Sequence, residues 1–417
     1  MLALLAGCGG PDPRERDLCA RALAVLEPEA GAPEPVDGTR PSLVTLRYAA
    51  RGRTETLTCR FAADEAWAPE LAGIAGTAVG ELSATDLFFL RTYGLPRAEV
   101  PAAALGPVAY LAQQLVNATG PASVYALLAL GYSLLYGLIG RVNLAFGEFC
   151  AFGTLAALAG ATLLGGAAPG RAAAAAVLAV LPLGLALGLA AHGLVLRPLM
   201  RRTSLAFLVA TLGLSIALSE AMRLAQGSRG AWYPPGFVRP LTLWSAGGAA
   251  VTVSTAQLLA AALAVGASAG VAFLMRRTNF GRAWRACSDD PGAAALVGVH
   301  MTRTVRRSSI LAATCATLAG ASLAVQYGAV GFDAALLLGF KALTAAIVGG
   351  IGSPAGAVLG GILIGLAETL WAAYLSGPWR DVVVFGVLCA GLVLRPYGLL
   401  GQPFARDNPM LWRGREW

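Results

Sequence analysis

The stretch PASVYALLALGYSLLYGLIG, residues 121–140, decides the fold of this chain. It carries no charged side chain over the roughly 20 residues that a helix needs to cross the hydrocarbon core of a bilayer. Comparable apolar stretches recur towards the C-terminus, and we predict further spans near 144–165, 172–196, 203–222, 255–275, 308–327, 334–350, 355–375 and 380–395. An amphipathic lead-in is expected over 105–120. The sequence therefore predicts an all-α polytopic membrane protein with about 8–9 transmembrane helices.

The composition favours a membrane protein over a soluble one. Of the 417 residues, 57% are hydrophobic and 13% are charged, whereas about a quarter of the residues of a soluble domain carry a charge. The 31 basic residues include a single lysine, Lys341, and the arginines accompany an excess of alanine and glycine. This bias indicates codon composition. The net charge of +8 therefore predicts no nucleic-acid partner and is better explained by basic cytoplasmic loops.

Residues 1–104 form a separate block, which we predict to be a small α+β extension and not a spanning segment. Two β-like runs, SLVTLRY (42–48) and TETLTCRF (54–61), flank the turn-like ARGR, so a hairpin is expected. The later segment 81–95 has helical character, with Ser83 or Thr85 as its cap.

The first residues resemble a lipoprotein signal but do not complete one. LLAGC, Leu4 to Cys8, matches the small-residue pattern before a lipid-modified cysteine, yet seven residues precede Cys8 and none is basic. Either the coding start lies further upstream or the match is a coincidence, and both interpretations stay open.

The arginines predict the orientation in the membrane. The loop 276–307 is strongly basic and is therefore expected to be cytoplasmic; its arginines are Arg276, Arg277, Arg282, Arg285, Arg303, Arg306 and Arg307. The turn after residue 196 and the tail 404–417 are basic too, and counting spans places both on the same side. The extension is then extracytoplasmic, where Cys19 and Cys59 can form a disulfide. If 334–350 is re-entrant and does not span, this count changes.

A second unusual segment is NFGRAWRACSDDPGAAALVGVH, residues 279–300, between two spans. Ser288 or Asp289 can cap a helix, Pro291 suits its first turn, and Gly298 can end it in a left-handed conformation. We therefore expect a short surface helix over Ser288 to Val299. The alternative is an ordinary basic loop near lipid headgroups.

Glycine spacing predicts a contact between membrane helices. Gly352, Gly356 and Gly360 repeat every four residues, a spacing that stacks small residues on one helix face. The break around 349–354 also fits a discontinuous helix that lines a cavity or is buried in protein.

Polar side chains inside predicted spans are costly and usually face a pathway or the interior of a bundle. The candidates for a translocation pathway are Asn143, Glu148, Gln326, Lys341 and Glu368. Lys341 is predicted to pair with Glu148 or Glu368, because an unpaired buried cation is destabilising. Alternatively, Lys341 reaches the membrane surface along its own stem.

Several catalytic motifs are missing from the sequence. It contains no GxxxxGK[ST] phosphate loop, no HExxH and no clustered histidines and cysteines. We therefore expect neither enzymatic activity nor a metal site, and the chain itself cannot be a P-loop ATPase.

Four ordered motifs are similar to those of a known family. From about Leu111 to Pro403, the chain resembles the permease subunits of branched-chain amino acid ABC importers. The motifs are YALLALGYSLLYGLIGRVNLAFGE, GRAWRACSDDPGAAALVGV, GFKALTAAIVGGIGSPAGAVLGGILIGLAE and WRDVVVFGVLCAGLVLRPYGLLG. Urea and short-chain amide permeases share them. Residues 1–104 have no counterpart in the common family pattern, and a platform for a binding protein and a stabilising cap are both open.

The resemblance implies a permease domain over 105–403 in the bacterial inner membrane and a set of partners. These are a second permease subunit, two cytoplasmic ATPase subunits that bind the ATP, and an extracytoplasmic substrate-binding protein; the chain itself needs no cofactor. In such importers a cytoplasmic helix sits in a cleft of the ATPase. The residues assigned to that coupling loop are Gly281, Arg282, Arg285, Ser288, Asp289, Asp290, Pro291, Leu296 and Gly298.

Two other classes of function remain to be compared with this one. A self-sufficient secondary transporter would couple through membrane carboxylates and need no ATPase. A membrane-anchored interaction protein would carry its function in residues 1–104.

Overall fold

The computed structural model describes residues 13–27, 30–31, 33–36, 43–50, 53–61, 71–77, 80–82, 90, 107–164, 169–200, 202–226, 240–246, 249–327, 334–375 and 379–401. The chain divides into two compact units, 1–104 and 105–417. The lipoprotein-like segment Leu4 to Cys8, most of the helix expected over 81–95, and the tail 404–417 lie outside the described residues.

The first unit combines one helix with an antiparallel sheet. Helix α1 spans Pro13–Leu26, and the strands, in chain and sheet order, are β1 (Glu34–Pro35), β2 (Leu43–Ala50), β3 (Arg53–Phe61), β4 (Leu71–Gly76) and β5 (Gly80–Glu81). The predicted hairpin is confirmed, since β2 pairs with β3 from Leu43 opposite Arg60 to Ala50 opposite Arg53.

The core of this unit follows from alternation along the strands. Val44, Leu46 and Tyr48 are buried on one face of β2, as period-two side-chain placement requires. Cys19 of α1 and Cys59 of β3 are joined by a disulfide with a Cα–Cα distance of 5.9 Å. The bridge links the helix covalently to the central strand of the sheet.

The second unit is a bundle of membrane-length helices with one hairpin. Its helices are α2 (Pro107–Ile139), α3 (Phe146–Leu164), α4 (Pro169–Ala190), α5 (Arg197–Leu199), α6 (Ser204–Gln226), α7 (Thr255–Arg277), α8 (Asn279–Asp289), α9 (Pro291–Leu296), α10 (Met301–Tyr327), α11 (Ala334–Gly349), α12 (Pro354–Tyr374) and α13 (Arg380–Leu394). A π-helical turn, Ala191–Leu196, joins α4 to α5, and strands β6 (Pro240–Ala246) and β7 (Ala249–Ser254) pair before α7.

The polytopic membrane fold is confirmed. Within the described residues, 7 helices are long and apolar enough to cross a bilayer. Two further predicted spans form shorter helices, α11 with 16 residues and α13 with 15. At 1.5 Å per residue, each is shorter than the roughly 30 Å hydrocarbon core.

One predicted boundary is wrong. The expected lead-in over 105–120 and the span after it form one continuous helix of 33 residues, α2, with Pro121 inside it. Contacts outside α2 support the turns before the proline, because Gln113 exchanges two hydrogen bonds with the main chain of Thr252 and Tyr110 donates to the carbonyl of Ala373. These contacts offset the hydrogen bond that a proline removes from a helix.

Small residues bring α12 against its neighbours. A Cβ added at Gly361 would lie 2.4 Å from the Cα of Ala126 in α2. A Cβ added at Gly365 would lie 2.5 Å from the Cα of Ala122 in the same helix. Gly356 and Gly360 face α11 in the same way, and a Cβ at Gly356 would lie 2.4 Å from the carbonyl of Gly349. These contacts let the helix backbones approach closely.

The expected glycine stripe needs a correction at its first member. Gly352 does not lie on α12, because it occupies the preceding turn with φ +87°. The helix begins at Pro354, and Ser353 caps it by accepting a hydrogen bond from the main chain of Gly356. A proline at the first position cannot extend the helix backwards, so the glycine repeat runs across a helix start.

Candidate functional site

The basic loop 279–300 folds into two short helices, α8 and α9. Gly281, Trp284 and Cys287 are buried along one side of α8, while Arg282 and Arg285 are exposed. A Cβ at Gly281 would lie 2.1 Å from the carbonyl of Met275, so glycine allows α8 to fold back on the end of α7. Arg285 donates to the same carbonyl and Arg282 donates to Asn279.

Two side chains of α8 attach it to the end of α2. The Nε1 of Trp284 donates to the carbonyl of Leu134 over 3.0 Å, and the Oγ of Ser288 donates to the carbonyl of Gly137 over 2.8 Å. Gly137 lies among the last four residues of α2, whose carbonyls have no partner within the helix. α8 therefore supplies a hydrogen-bond donor to a carbonyl at the end of α2 that has no partner within that helix.

The predicted cap of the surface helix is wrong. A single helix over Ser288 to Val299 was expected, with Ser288 or Asp289 as its cap, but both residues belong to the last turn of α8. Asp290 is the cap of α9, and its Oδ1 accepts from the main chain of Gly292 at 2.8 Å and of Ala293 at 3.1 Å. Asp290 has φ −142° and ψ 104°, the extended backbone favoured immediately before a proline.

The expected end of this helix is confirmed at Gly298. Its φ is +84°, and the main-chain N–H of Val299 donates to the carbonyl of Ala294 over 2.9 Å. This is the Schellman arrangement that ends helices at a left-handed glycine. It leaves two apolar side chains in solvent, Leu296 at 90% and Val297 at 77% exposure. We call this pair the α9 tip.

Two of the proposed pathway residues meet inside the bundle. Lys341 of α11 donates to Oε1 of Glu368 on α12 over 2.8 Å, and both side chains are buried. Tyr125 of α2 donates to the other carboxylate oxygen over 2.6 Å. Lys341 also forms an ion pair with Oδ1 of Asp381 at 2.6 Å, and Arg380 lies 3.7 Å from Glu368. We call these five residues the charged cluster.

The other pathway candidates lie in separate environments. Glu148 is buried and its Oε1 accepts a hydrogen bond from Ser215 over 3.0 Å. Asn143 lies in the turn before α3, where its side-chain oxygen accepts a hydrogen bond from the main chain of Ala145. Gln326 of α10 donates to the carbonyl of Ser322. The structure therefore pairs Lys341 with Glu368, not with Glu148.

Sequence reasoning did not identify Tyr125, Arg380 and Asp381 as members of the cluster. Arg380 and Asp381 begin α13, a position where charges are usually assigned to a solvated helix end. One signal in the sequence could have identified them. Arg380 and Asp381 carry opposite charges at the start of an apolar run, and this run comes after the two charged residues of earlier spans, Lys341 and Glu368.

Of the four free cysteines that the structure describes, Cys150, Cys287 and Cys315 are buried and Cys389 is exposed. Among the residues that the structure describes, no group of three or more His, Cys, Asp or Glu side chains is placed to hold a metal ion. Cys287 in α8 is buried, and burial raises the pKa of its thiol, while a hydrogen bond with Thr304 lowers it to a smaller extent. The neutral thiol is therefore a packing group.

Comparisons with known proteins relate the second unit to one family. The family model for "Branched-chain amino acid transport system / permease component" matches residues 114–392. The high-affinity branched-chain amino acid transport system permease protein LivH of Salmonella typhimurium is 33% identical over 297 residues, which cover 70% of this chain and 96% of the relative. The corresponding permease protein BraD of Pseudomonas aeruginosa is 34% identical over 295 residues with the same coverage.

A third similarity is shorter. The autoinducer 2 import system permease protein LsrC of Klebsiella pneumoniae is 34% identical over 146 residues, 33% of this chain and 42% of the relative. The matched family segment begins at residue 114, so the first unit lies outside it.

Proposed function

The chain belongs to the permease-component family of branched-chain amino acid transport systems, and on this premise we propose that it forms half of the translocation pathway of an ATP-driven importer. Its cargo is a branched-chain or related amino acid. Almost the full length of LivH and BraD is represented in this chain, which supports carrying their printed transport role over to it. Since the sequence has no phosphate loop, the ATP is hydrolysed by a partner.

The observation that carries the proposal is the α9 tip, which directly follows α8, the helix fastened to α2 by Trp284 and Ser288. Leu296 is 90% exposed, although burying a leucine side chain is worth about 1.5–3 kcal/mol. The pair follows the exposed arginines Arg282 and Arg285 in sequence, and a partner protein that covers it would bury both apolar side chains. We assign this partner to the ATPase subunits.

The path of coupling runs from the tip into the membrane. The ATPase moves α9, and the cap at Asp290 holds α9 in a fixed direction from α8. Trp284 and Ser288 then transmit the displacement to Leu134 and Gly137 at the end of α2. α2 also carries Tyr125, which donates to Glu368 of the charged cluster. One helix thus contacts both the coupling surface and the polar interior.

The proposed topology places the α8–α9 surface in the cytoplasm and the first unit outside it. The disulfide between Cys19 and Cys59 supports the extracytoplasmic side for that unit, because such bonds persist in oxidising compartments. The other partners are a second permease subunit, which completes the pathway, and a binding protein that delivers the amino acid. A urea or short-chain amide importer is the alternative, since those permeases share the motifs.

Reconstitution tests the proposal directly. The chain is placed in liposomes with the second permease subunit, the ATPase subunits and the binding protein, and uptake of labelled leucine, valine and urea is measured with and without ATP. We expect ATP-dependent uptake of leucine and valine. Uptake of leucine by the chain without the ATPase subunits would instead establish a secondary transporter, and uptake of urea alone would establish the alternative cargo.

Leu296 provides a matched pair of variants for the same assay. Leu296→Asp should lower uptake tenfold or more and weaken binding of the ATPase subunits, because a charge replaces an apolar side chain that the partner would bury, a change worth about 2 kcal/mol. Leu296→Met keeps the apolar contact and should retain uptake. Normal uptake by Leu296→Asp would remove the tip from the coupling path.

A further inference from the structure

An open pocket lies between α7, α8 and α10, apart from the coupling contacts and from the charged cluster. Its volume is about 570 Å³, and its walls include the apolar side chains of Leu274, Phe280, Ile310 and Leu311. Asn279 and Arg307 lie at its polar side. A cleft of this size is typical of a small-molecule site, and most of its wall is apolar.

The cation of the pocket, Arg307, has no carboxylate partner among the described residues. Arg307 is exposed, and within the described part of the chain it forms no ion pair with a carboxylate. The neighbouring hydroxyls are already used, since Thr278 donates to the carbonyl of Leu274 and Thr314 to that of Ile310. The guanidinium therefore remains available for an anion at the edge of an apolar wall.

The position of the pocket along α10 matches the boundary of a membrane. α10 begins with the polar sequence MTRTVRRSS and becomes mainly apolar from Ile310. From Arg307 to Thr314 the helix rises about 10 Å, at 1.5 Å per residue. α7 reaches the same boundary at its end, where Leu274 and Met275 are followed by Arg276 and Arg277. The pocket thus has its charge at the interface and its apolar wall on the hydrocarbon side.

We propose that this pocket binds an anionic phospholipid. Its phosphate would pair with Arg307 and accept from the amide of Asn279, while one acyl chain would cover Leu274, Ile310 and Leu311. The exposed arginines around the pocket, Arg276, Arg277 and Arg303, add a positive potential that favours an anionic headgroup over a zwitterionic one. A soluble phosphate compound would leave the apolar wall uncovered, and a zwitterionic lipid would gain less from Arg307.

Lipid binding to the purified full-length chain tests this proposal. Native mass spectrometry in detergent measures the binding of phosphatidylglycerol, with phosphatidylcholine as the comparison and glycerol 3-phosphate as a competitor. We expect phosphatidylglycerol to bind more tightly than phosphatidylcholine, and glycerol 3-phosphate at equal concentration not to displace it. Equal affinity for the two lipids, or displacement by the competitor, would overturn the proposal.

Two pairs of variants locate the bound lipid. Arg307→Gln should weaken phosphatidylglycerol binding about fivefold, the effect of one cation near a charged surface, whereas Arg306→Gln, which lies outside the pocket, should change it less than about twofold. Leu274→Trp narrows the pocket and should abolish the tight adduct, while Phe273→Trp, 62% exposed on the same helix, should retain it. Equal losses in the two arginine variants, or a normal adduct with Leu274→Trp, would place the lipid elsewhere. Since Arg307 is exposed, its variant remains a valid test even if Leu274→Trp fails to fold.

Discussion

Lys341 and Glu368 form a buried ion pair, with the lysine Nζ 2.8 Å from Oε1 of the glutamate. Asp381 and Arg380 extend the pair into a cluster of two cations and two carboxylates, so its formal charge is zero. Burying charges is costly, and the cost is offset only when the charges are paired and their other hydrogen bonds are satisfied. Tyr125 supplies such a bond to Glu368.

Removal of one charge from the cluster should therefore destabilise the protein more than removal of one positive and one negative charge together. Lys341→Met leaves the cluster with one excess negative charge, and we expect it to lower the free energy of unfolding by about 3–5 kcal/mol. The double variant Lys341→Met/Glu368→Gln restores a net charge of zero and should recover a large part of this loss. Thermal unfolding in detergent measures both. A double variant that is no more stable than Lys341→Met would show that neutrality does not stabilise the cluster.

The contacts between α8 and α2 should affect coupling more than stability. Ser288→Ala removes one hydrogen bond to the end of α2, worth about 1 kcal/mol, and Trp284→Phe removes another while keeping an aromatic ring. Both variants should assemble and hydrolyse ATP, but the amount of leucine transported per ATP should fall. Trp244→Phe is the control, since Trp244 is 55% exposed in β6. An unchanged ratio in both α8 variants would mean that coupling follows another route.

The cap of α9 can be tested separately from its charge. Asp290→Ala removes the acceptor for two main-chain N–H groups and should destabilise the start of α9 by about 1 kcal/mol, whereas Asp290→Asn retains a capping oxygen. We expect lower uptake for the alanine variant and nearly normal uptake for the asparagine variant. If both lose uptake equally, the charge of Asp290 matters and the cap does not.

The disulfide should stabilise the first unit strongly. It joins residues 40 apart in sequence, and a loop of this length restricts the unfolded chain by about 4 kcal/mol. Cys19→Ser/Cys59→Ser should lower the stability of this unit by that order, as measured by limited proteolysis of the full chain. A maleimide mass-shift assay on denatured protein should add two adducts after reduction. No additional adducts on reduction would mean that the bond is absent in the cell.

Local chemistry explains why part of the structure could be predicted from sequence. Apolar run length identifies the membrane helices, because each must satisfy its own main-chain groups in lipid. The end of α9 at Gly298 is also local, since glycine adopts a left-handed conformation without steric cost. The start of α9 was predictable too: the restriction that Pro291 places on the residue before it favours Asp290 over Ser288 as the cap.

Long-range contacts explain what could not be predicted. The boundary predicted near residue 120 is absent, because a contact between Gln113 and Thr252, far apart in sequence, stabilises the turns before Pro121. Likewise, nothing local in α8 indicates that Trp284 donates to Leu134, a residue 150 positions earlier. The members of the charged cluster come from four helices. The periodicity of side chains along one helix therefore cannot predict that these residues contact one another.

Two glycines with opposite surroundings separate packing from helix propensity. Gly365 of α12 touches α2, where an added Cβ would lie 2.5 Å from the Cα of Ala122, while nothing lies within 4 Å of a Cβ at Gly213 of α6. Gly365→Ala should therefore destabilise the bundle by about 1–3 kcal/mol through overpacking. Gly213→Ala should be neutral or stabilising by about 0.5–1 kcal/mol, because alanine is the better helix former. Thermal unfolding in detergent compares the two variants. If both raise the midpoint, α2 and α12 are not in close contact, because the penalty at Gly365 exists only where the two backbones approach each other.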